Sequence, residues 1–379
     1  MRIFDGFNDA DLREAGVLLR GGEVLAIPTE TVYGLAADAS SPAAVARIYA
    51  IKGRPDNKPL PVLVAGLEGA ETLCSHIPGI ARELIAAHWP GPLTLVLPTS
   101  GGTVACRCPA HPAALEVLRH AGVPLALTSA NLSGKPPPLS ASQITLTGLG
   151  GIVDGGECAV GRPSAILDVT KDPPELLRHS AAVIGVTGGS GAGKSVVMDR
   201  LEELGAAVIR ADDIYHKLLR SDEGLLEKLR DRFIDAFPIP GGSFDRTVMR
   251  RLAFSDPQAL ADLNRITHPH VVSEIRRVMA SVFLQNNETP VAIEAIALIG
   301  SGLEGLCSVK VAVTAPFEER VRRIMERDGL SREDTLKRIQ NQKSDEYYTA
   351  NCDIDLENNK GTPELTEKVD NLWKANVKP

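Results

Sequence analysis

The sequence of 379 residues is long enough for two or three domains, and 44% of it is hydrophobic, which suffices for buried cores. The net charge of −7 is spread over both halves, since residues 1–181 contain 14 basic and 17 acidic residues and the remainder contains 27 and 31. This balance argues against a broad basic surface for nucleic acid, but it leaves room for local sites that bind small anions.

Strand and helix patterns alternate through the first half. EVLAIPT, GPLTLVLP, VPLALTSA and SAILDVT are typical of buried strands, and SPAAVARIYAIK predicts a helix with Ser41 as its N-cap and Pro42 in its first turn. The close pair Cys106 and Cys108, with His111, is open to two interpretations, a metal site or packed strand thiols. The lack of a second ligand pair favours thiols.

The N-terminal segment MRIFDGFNDADL has neither the basic nor the apolar region of a signal peptide. No uncharged apolar run approaches the roughly 20 residues that a membrane span needs. The six scattered cysteines are typical of a reducing compartment. We therefore expect a cytoplasmic protein without a membrane partner.

Cationic side chains and short polar donors recur along the first half. KGRPDNK is a basic loop punctuated by proline, CRCPAHP places an arginine on a strand, and TSANLSG is a turn of small polar residues. Together they are compatible with a triphosphate site, although a solvated basic loop and an ordinary Ser/Asn turn remain alternatives. The residues concerned are Lys52, Arg54, Lys58, Arg107, Thr128, Ser129, Asn131 and Ser133.

A second domain is predicted to begin near Ala181, which gives domains of residues 1–181 and 182–379. AAVIGVTGG, AAVIRADD, PVAIEAIAL and SVKVAVTA are typical of parallel strands, with amphipathic helices between them. No flexible linker separates the halves. The fold class predicted for both domains is therefore α/β.

The first strand of this half leads into a phosphate loop. Gly188, Gly193, Lys194 and Ser195 fit G-x-x-x-x-G-K-[ST], in which backbone N–H groups and a helix N-terminus surround phosphate oxygens. Lys194 is expected to reach the β- and γ-phosphates of ATP, and Ser195 to hold Mg²⁺. The full set of expected ATP contacts in the loop is Gly188, Gly189, Ser190, Gly191, Ala192, Gly193, Lys194, Ser195 and Val196.

Two later segments supply candidate catalytic groups. Asp212 and Asp213 follow the next strand, where a carboxylate can accept a hydroxyl proton or hold Mg²⁺ through water, or can simply cap the following helix. The segment EERVRRIMERDGLSREDTLKRIQNQ is a basic helix. Its arginines either form a solvated face or compensate the charge of a transferred phosphoryl group.

Residues 8–179 resemble the YrdC family of threonylcarbamoyl-AMP synthases. The resemblance is carried by PTETVYGL, IYAIKGRP, WPGPLTLVL, ALTSANLSG and PSAILDV…LLR. It implies a twisted open α/β sheet and a reaction that joins L-threonine, bicarbonate and ATP into threonylcarbamoyl-AMP and pyrophosphate, with Mg²⁺. The product would pass to tRNA threonylcarbamoyl transferase proteins, and the acidic balance allows at most weak direct tRNA binding.

The YrdC resemblance also implies residue roles. Lys52 and Arg54 would be catalytic and bind the triphosphate, Ser129, Asn131 and Arg178 would bind the nucleotide, and Thr31, Arg107 and Ser164 would bind threonine, with Arg107 on its carboxylate. Three departures from the family pattern are Leu63 in place of histidine, Ala165 in place of threonine, and the ending LRHS in place of LRPG.

Residues 183 to about 373 resemble dephospho-coenzyme A kinase. The matching elements are GGSGAGKS, ADD, FDR followed by RRLAF, ITHPHV, RRIMERDGLS and ENN. The resemblance implies a P-loop kinase domain with a parallel sheet flanked by helices, which transfers the γ-phosphate of ATP to the ribose 3′-hydroxyl of dephospho-CoA. A uridine-kinase-like protein would share the phosphate loop but not FDR or ITHPHV.

By this second resemblance Asp212 and Lys194 are catalytic. Arg323, Arg327 and Arg338 would be lid or phosphate contacts of ATP, and Asn358 would lie near its adenine. Arg246 and His268 would line the acceptor site. Arg210 and Gly300 depart from the family, which usually has acidic residues at both positions. We therefore predict a bifunctional enzyme, with the alternative that only the synthase is active and the kinase-like half is a nucleotide-binding sensing or docking module.

Overall fold

The computed structural model describes residues 2–53, 59–237, 244–359 and 361–377, without the side chains of residues 246, 250 and 253–255. The described chain divides into two compact units, Met1–Ser180 and Ala181–Pro379. Both units combine helices and sheets, so the predicted α/β class is confirmed. Within the described residues, the search for a helix with the length and hydropathy of a membrane span found none.

In the described part of the first unit, ten strands form one mixed sheet in the order β1-β8-β2-β3-β7-β4-β6-β5-β9-β10. The strands are β1 (Arg2–Asp5), β2 (Leu25–Ile27), β3 (Gly34–Asp38), β4 (Val62–Leu63), β5 (Leu93–Thr99), β6 (Gly102–Arg107), β7 (Leu125–Ser129), β8 (Gly151–Asp154), β9 (Ala165–Asp168) and β10 (Glu175–Arg178). The helices are α1 (Asp9–Arg20), α2 (Pro42–Lys52), α3 (Leu67–Glu71), α4 (Gly79–His88) and α5 (Pro112–Ala121).

Both faces of this sheet are covered at β2, which explains why this strand is apolar throughout. Leu25 and Ile27 of β2 pack with α1 and α5 on one face, whereas Ala26 between them packs with α2 on the other. Helix α2 begins as predicted, because Ser41 Oγ accepts a hydrogen bond from the N–H of Ala44 and Pro42 is in the first turn. The helices on the two faces of the sheet thus hold the loops that carry the polar candidate residues.

The second unit contains a parallel sheet in the order β12-β13-β11-β14-β15, as predicted. Its strands are β11 (Val183–Thr187), β12 (Ala207–Arg210), β13 (Val291–Glu294), β14 (Val309–Thr314) and β15 (Ile354–Glu357). Its helices are α6 (Lys194–Glu203), α7 (Ala211–Ser221), α8 (Glu223–Arg232), α9 (Arg246–Ser255), α10 (Pro257–Gln285), α11 (Phe317–Asp328), α12 (Arg332–Gln340), α13 (Asp345–Asn351) and α14 (Thr362–Asn376).

The central strand β11 leads directly into the phosphate loop. Its residues Ile184 and Val186 pack in a core shared with α6 and α14. Gly185 between them faces the opposite side, where a Cβ atom would lie 2.5 Å from Cys307 Sγ and 2.8 Å from Leu298 Cδ2. Glycine at this position therefore lets the chain after β13 approach the strand that carries the loop.

We expect Gly185→Ala to destabilise the second unit by about 1–3 kcal/mol, because the added methyl group overpacks a closed contact. Calorimetry of the full chain should show one unfolding transition at lower temperature. Gly305→Ala is the matched control, since Gly305 is exposed and its Cβ would meet no atom within 4 Å. Identical thermograms for the two variants would contradict this account of Gly185.

Candidate functional sites

The C-terminal end of α2 brings three of the predicted synthase residues together. Lys52 is only 3% exposed. Its ammonium group donates hydrogen bonds to the carbonyls of Ser129 and Asn131, the latter at 2.7 Å, and lies 3.5 Å from both of their side-chain oxygens. Lys52 thus holds the turn that follows β7. Its predicted neighbour Arg54 lies outside the described residues, as does Lys58.

A buried arginine at the end of β6 forms a second group. Arg107 donates to the carbonyl of Gly91 at 3.0 Å, to Thr31 Oγ1 at 3.0 Å and to Glu30 Oε1 at 2.6 Å. The other carboxylate oxygen of Glu30 accepts the N–H of Ala110 at 3.0 Å. These contacts use three of the five N–H groups of the guanidinium, so two remain for a ligand. The structure therefore places Arg107 beside Thr31, and both were expected to bind threonine.

The third group lies between β9 and β10. Arg178 donates to the carbonyl of Ser164 at 2.7 Å and to its hydroxyl at 3.1 Å, and Thr94 shares a 2.9 Å hydrogen bond with that hydroxyl. Backbone hydrogen bonds connect this group to the others. The N–H of Ala165, which follows Ser164, donates to the carbonyl of Pro92. Pro92 directly follows Gly91, whose carbonyl is bound by Arg107.

The turn held by Lys52 connects to the segment that contains Thr31. The N–H of Ala130 donates to the carbonyl of Tyr33 at 2.8 Å. The described candidates of the first unit thus form a hydrogen-bonded series of three groups. The series contains cations and hydroxyls suited to carboxylate and phosphate oxygens.

Three further residues of the first unit are buried. Leu63 and His179 belong to departures from the family pattern, and Cys106 does not. Leu63 is buried in the core with α1 and α5. Burial lowers the pKa of His179, in the LRHS ending, to about 4. The thiol Cys106 precedes Arg107, and burial raises its pKa to about 12, so it is neutral near pH 7.

In the phosphate loop of the second unit, side chains bind the backbone carbonyl groups. Glycines give the loop its shape, since Gly188, Gly191 and Gly193 all have positive φ and a Cβ at Gly188 would lie 2.2 Å from the carbonyl oxygen of Val313. Five consecutive carbonyls accept side-chain donors: Gly188 and Gly189 from Lys194 at 3.0 and 3.3 Å, Ser190 from Arg320 at 3.0 Å, Gly191 from Arg323 at 3.2 Å, and Ala192 from Asn358 at 2.9 Å.

The five carbonyls of the loop thus already accept hydrogen bonds from side chains. The first turn of α6 is left as an anion site. The N–H groups at the start of a helix have no acceptor within the helix, and its dipole favours negative charge there. Lys194 is buried, and this burial lowers its pKa, so a bound anion would offset the cost of keeping its ammonium group charged. The local chemistry therefore favours phosphate.

A cavity of about 240 Å³ opens at this loop and brings most of the predicted kinase residues together. Its wall is formed by Ser190, Gly191, Gly193, Lys194, Ser195, Asp212, Glu294, Ile296, Arg323, Arg327 and Arg338. Gly188, Gly189, Ala192, Val196 and Asn358 are not among these residues. Asn358, expected near adenine, lies buried against the loop, and its side-chain amide donates to the carbonyl of Ala192.

The arginines of the basic helix α11 are divided between the cavity and the surface. Arg323 and Arg327 line the cavity, whereas Arg322 forms ion pairs with Glu319 and Glu326. Asp328 binds both Arg327, at 2.7 Å, and Arg338 of α12, at 2.6 Å. Arg322 thus belongs to a solvated, ion-paired face, and compensation of phosphoryl charge stays a prediction for Arg323 and Arg327.

Asp212 contributes to two cavities at once. Besides the phosphate cavity, it lines a mainly apolar cavity of about 200 Å³ that also contains Tyr215, Thr267 and His268. The helix-cap alternative for Asp212 and Asp213 is wrong, because both lie inside the first turn of α7 and Arg210 occupies the N-cap position. A carboxylate that faces both spaces can act on a group in either one.

Charged and titratable side chains surround Asp212. Burial raises the pKa of Glu294, while Lys194 and Arg210 act in the opposite direction. Arg210 contacts Asp199 at 2.8 Å and Glu294 at 3.7 Å, so the positive charge at this departure from the family is paired. Burial lowers the pKa of His268, which keeps its imidazole neutral near pH 7. Arg246 begins α9, and its side chain lies outside the described part.

Sequence reasoning missed four supporting residues. They are Glu30, which pairs with Arg107, Arg320 and Gln342, which bind Ser190, and Asp328, which gathers two arginines. Glu30 lies within the quoted segment PTETVYGL, so a buried acid opposite a buried arginine could have been sought. No sequence spacing connects the other three with the residues that they bind, except that Asp328 directly follows Arg327.

Comparison with known proteins matches each unit separately. Residues 17–180 match the Sua5/YciO/YrdC family model, described as "Telomere recombination", and residues 182–364 match the CoaE model, described as "Dephospho-CoA kinase". Threonylcarbamoyl-AMP synthase of Bacillus subtilis is 46% identical over 185 residues, which cover 45% of this chain and 54% of that protein. The chain thus spans about half the length of this curated relative.

Two relatives are covered almost completely. A provisionally named threonylcarbamoyl-AMP synthase of Mycobacterium tuberculosis is 38% identical over 48% of this chain and 95% of its own length. Dephospho-CoA kinase of Dehalococcoides mccartyi is 35% identical over 52% of this chain and 98% of its own length. The chain therefore belongs to two families, with its first half in the Sua5/YciO/YrdC family and its second half in the dephospho-CoA kinase family.

Proposed function

We propose that the protein is a bifunctional cytoplasmic enzyme. The first unit makes threonylcarbamoyl-AMP from L-threonine, bicarbonate and ATP, and the second phosphorylates dephospho-CoA at its ribose 3′-hydroxyl. The observation that supports the first activity is the buried Arg107 with two N–H groups to spare beside Thr31. The observation that supports the second is Asp212, which lines both the phosphate cavity and a neighbouring apolar cavity.

In the synthase reaction, the protein mainly positions reactants and compensates charge. The amine of threonine attacks bicarbonate, water leaves, and an oxygen of the resulting carbamate attacks the α-phosphorus of ATP, which releases pyrophosphate. Arg107 would bind the threonine carboxylate through its spare N–H groups, with Thr31 and Ser164 nearby for the other polar atoms. Lys52 and Arg54 would serve the phosphates, and Ser129, Asn131 and Arg178 the nucleotide.

Lys52 has a second task in this proposal. Its ammonium group already holds the carbonyls of Ser129 and Asn131, so it fixes the turn that would contact the nucleotide. The product would be passed to tRNA threonylcarbamoyl transferase proteins. The excess of acidic over basic residues in 1–181 favours at most weak direct tRNA binding.

In the kinase reaction, Asp212 would accept the proton of the ribose 3′-hydroxyl as its oxygen attacks the γ-phosphorus, and ADP leaves. The ATP phosphates would lie on the first turn of α6, and Lys194, Arg323, Arg327 and Arg338 would compensate their charge. The acceptor would occupy the cavity beside His268, with Arg246 contributing to it.

Magnesium fits the donor set of the phosphate cavity. Ser195, Asp212 and Glu294 offer hard oxygen ligands of the kind that Mg²⁺ prefers, directly or through water. We propose Ser195 as the direct ligand. When bound, the ion supplies positive charge to the phosphates.

The decisive experiment is product analysis of the purified chain. We expect pyrophosphate and threonylcarbamoyl-AMP with threonine, bicarbonate and ATP, and coenzyme A with dephospho-CoA and ATP. Lys194→Ala should lower coenzyme A formation by about 10²-fold or more, because a phosphate contact is lost, and leave threonylcarbamoyl-AMP formation unchanged. A wild-type chain that binds ATP at the phosphate loop yet forms no coenzyme A would support the sensing or docking alternative for the second unit.

Arg107→Lys tests the threonine site. Lysine keeps the positive charge but loses the planar fork that matches a carboxylate, so we expect the KM for threonine to rise about 5–10-fold. The KM for ATP should stay nearly constant. Initial rates of pyrophosphate release are measured against threonine at saturating ATP and bicarbonate. A change mainly in the ATP curve would assign Arg107 to the nucleotide.

The pH profile of the kinase tests Glu294. Its pKa is raised by burial, so it takes up a proton at higher pH than an ordinary glutamic acid, and the ionised form is lost as the pH falls. We expect coenzyme A formation to be constant around pH 8 and to decline toward acid. Glu294→Gln should be slower at pH 8 and decline less. Parallel acid limbs for wild type and variant would exclude Glu294 as the titrating group.

A further inference from the structure

Two residues from outside the phosphate loop bind Ser190 through three hydrogen bonds. It is 4% exposed. Its N–H donates to Gln342 Oε1 at 2.8 Å, and Gln342 Nε2 donates to its hydroxyl at 2.7 Å. Its carbonyl accepts Arg320 Nε at 3.0 Å. A single side-chain amide thus makes a two-point contact with one residue of the loop, while a guanidinium binds the same residue from another direction.

The residues that bind Ser190 belong to the elements that carry the cavity arginines. Arg320 lies in α11, with Arg323 and Arg327, and Gln342 follows α12, which carries Arg338. Arg320 also binds Asp345, the first residue of α13, at 2.9 Å. The phosphate loop is therefore connected to α11, to the end of α12 and to the start of α13 through one serine.

The glycines around Ser190 explain why this residue needs external support. Gly189 and Gly191 flank it, and Gly191 has a φ of +76°. Glycine has more backbone freedom than any other residue, so the peptide groups between such residues can turn. A carbonyl turned toward the cavity would oppose the negative phosphates, whereas the observed bonds keep the Ser190 carbonyl on Arg320. Gly189 also makes room for that guanidinium, since a Cβ there would lie 2.1 Å from an Arg320 terminal nitrogen.

We infer that Gln342 is a positioning residue for the nucleotide phosphates. It holds the Gly189–Ser190 peptide by its N–H group, while the carbonyl of that peptide lies on Lys194. The loop carbonyls thus stay turned away from the phosphates, the N–H groups at the start of α6 are left to bind them, and this geometry is tied to the end of α12. The inference rests on the proposed kinase function for the identity of the nucleotide. The opposite role, in which Gln342 blocks the Ser190 N–H and must leave before phosphate binds, predicts an effect of opposite sign.

The test uses Gln342→Met, which keeps the side-chain length and removes both hydrogen bonds. Calorimetry with MgADP on the full chain measures the binding that Lys194→Ala abolishes, which separates the phosphate loop from any site in the first unit. We expect this binding to weaken about tenfold, equivalent to about 1.4 kcal/mol. The KM for ATP in coenzyme A formation should rise by a similar factor, and the KM for dephospho-CoA should stay constant.

Gln340→Met is the matched control, because Gln340 is exposed and lies two residues earlier, at the end of α12. It should bind MgADP like the wild type. Threonylcarbamoyl-AMP formation by the same chains should be unchanged in every variant. MgADP binding that is unchanged or tighter in Gln342→Met would overturn the inference.

Ser190→Ala provides a second test through a double-mutant cycle. It removes the hydroxyl bond but keeps the N–H bond to Gln342, so its loss of MgADP affinity should be smaller than that of Gln342→Met. The double variant should be no weaker than Gln342→Met alone, since that change already removes both bonds. Additive losses would show that the two residues act independently and would contradict the inference. A wild type that binds MgADP through Lys194 but makes no coenzyme A would refute the proposed function while this binding test still decides the role of Gln342.

Discussion

Buried cations bound to loop carbonyls shape both candidate sites. Lys52 holds the turn after β7, Arg107 binds Gly91, and Lys194, Arg320 and Arg323 bind the phosphate loop. A buried charge is costly unless polar groups surround it, and a loop carbonyl needs a donor once it is removed from water. Each contact meets both needs, because the cation gains a polar partner and the carbonyl gains a donor. A carbonyl that is bound in this way is not turned toward an anionic ligand, and this holds in both units.

Neutral and acidic residues complete this arrangement. Glu30 shares Arg107 with Thr31 and also binds the N–H of Ala110, so it connects two loops through one ion pair. Asp328 accepts hydrogen bonds from Arg327 of α11 and from Arg338 of α12. Removing Glu30 would leave the buried charge of Arg107 without compensation, which is more disruptive than the absence of the whole pair. The pairs of Asp328 are more exposed, so they orient the arginines but contribute less to stability. The acids are therefore as much a part of the site geometry as the cations.

The parts of the molecule that follow from local pattern could be predicted, and the parts that depend on distant contacts could not. The phosphate loop and Asp212 each follow an apolar strand, so their places at the sheet edge are evident from the sequence alone. The contacts of Ser190 with Arg320 and Gln342 span 130 and 152 residues, and no spacing in the sequence predicts them. The ATP contacts expected of Ser190 and Asn358 stay predictions, and neither expectation included the residues that hold Ser190. A sequence motif identifies the residues that surround a ligand, but it does not identify the residues that hold the motif in its conformation.

The strand order of the second unit has a consequence for how the chain matures during synthesis. The strand that carries the phosphate loop, β11, is made first but lies between β13 and β14, which end at residues 294 and 314. Its two edges stay unpaired until more than a hundred further residues have left the ribosome. Such distant pairing is slow to form because a long loop must close first. The nucleotide-binding loop is thus among the earliest parts of its domain to be translated and among the last to acquire its final shape.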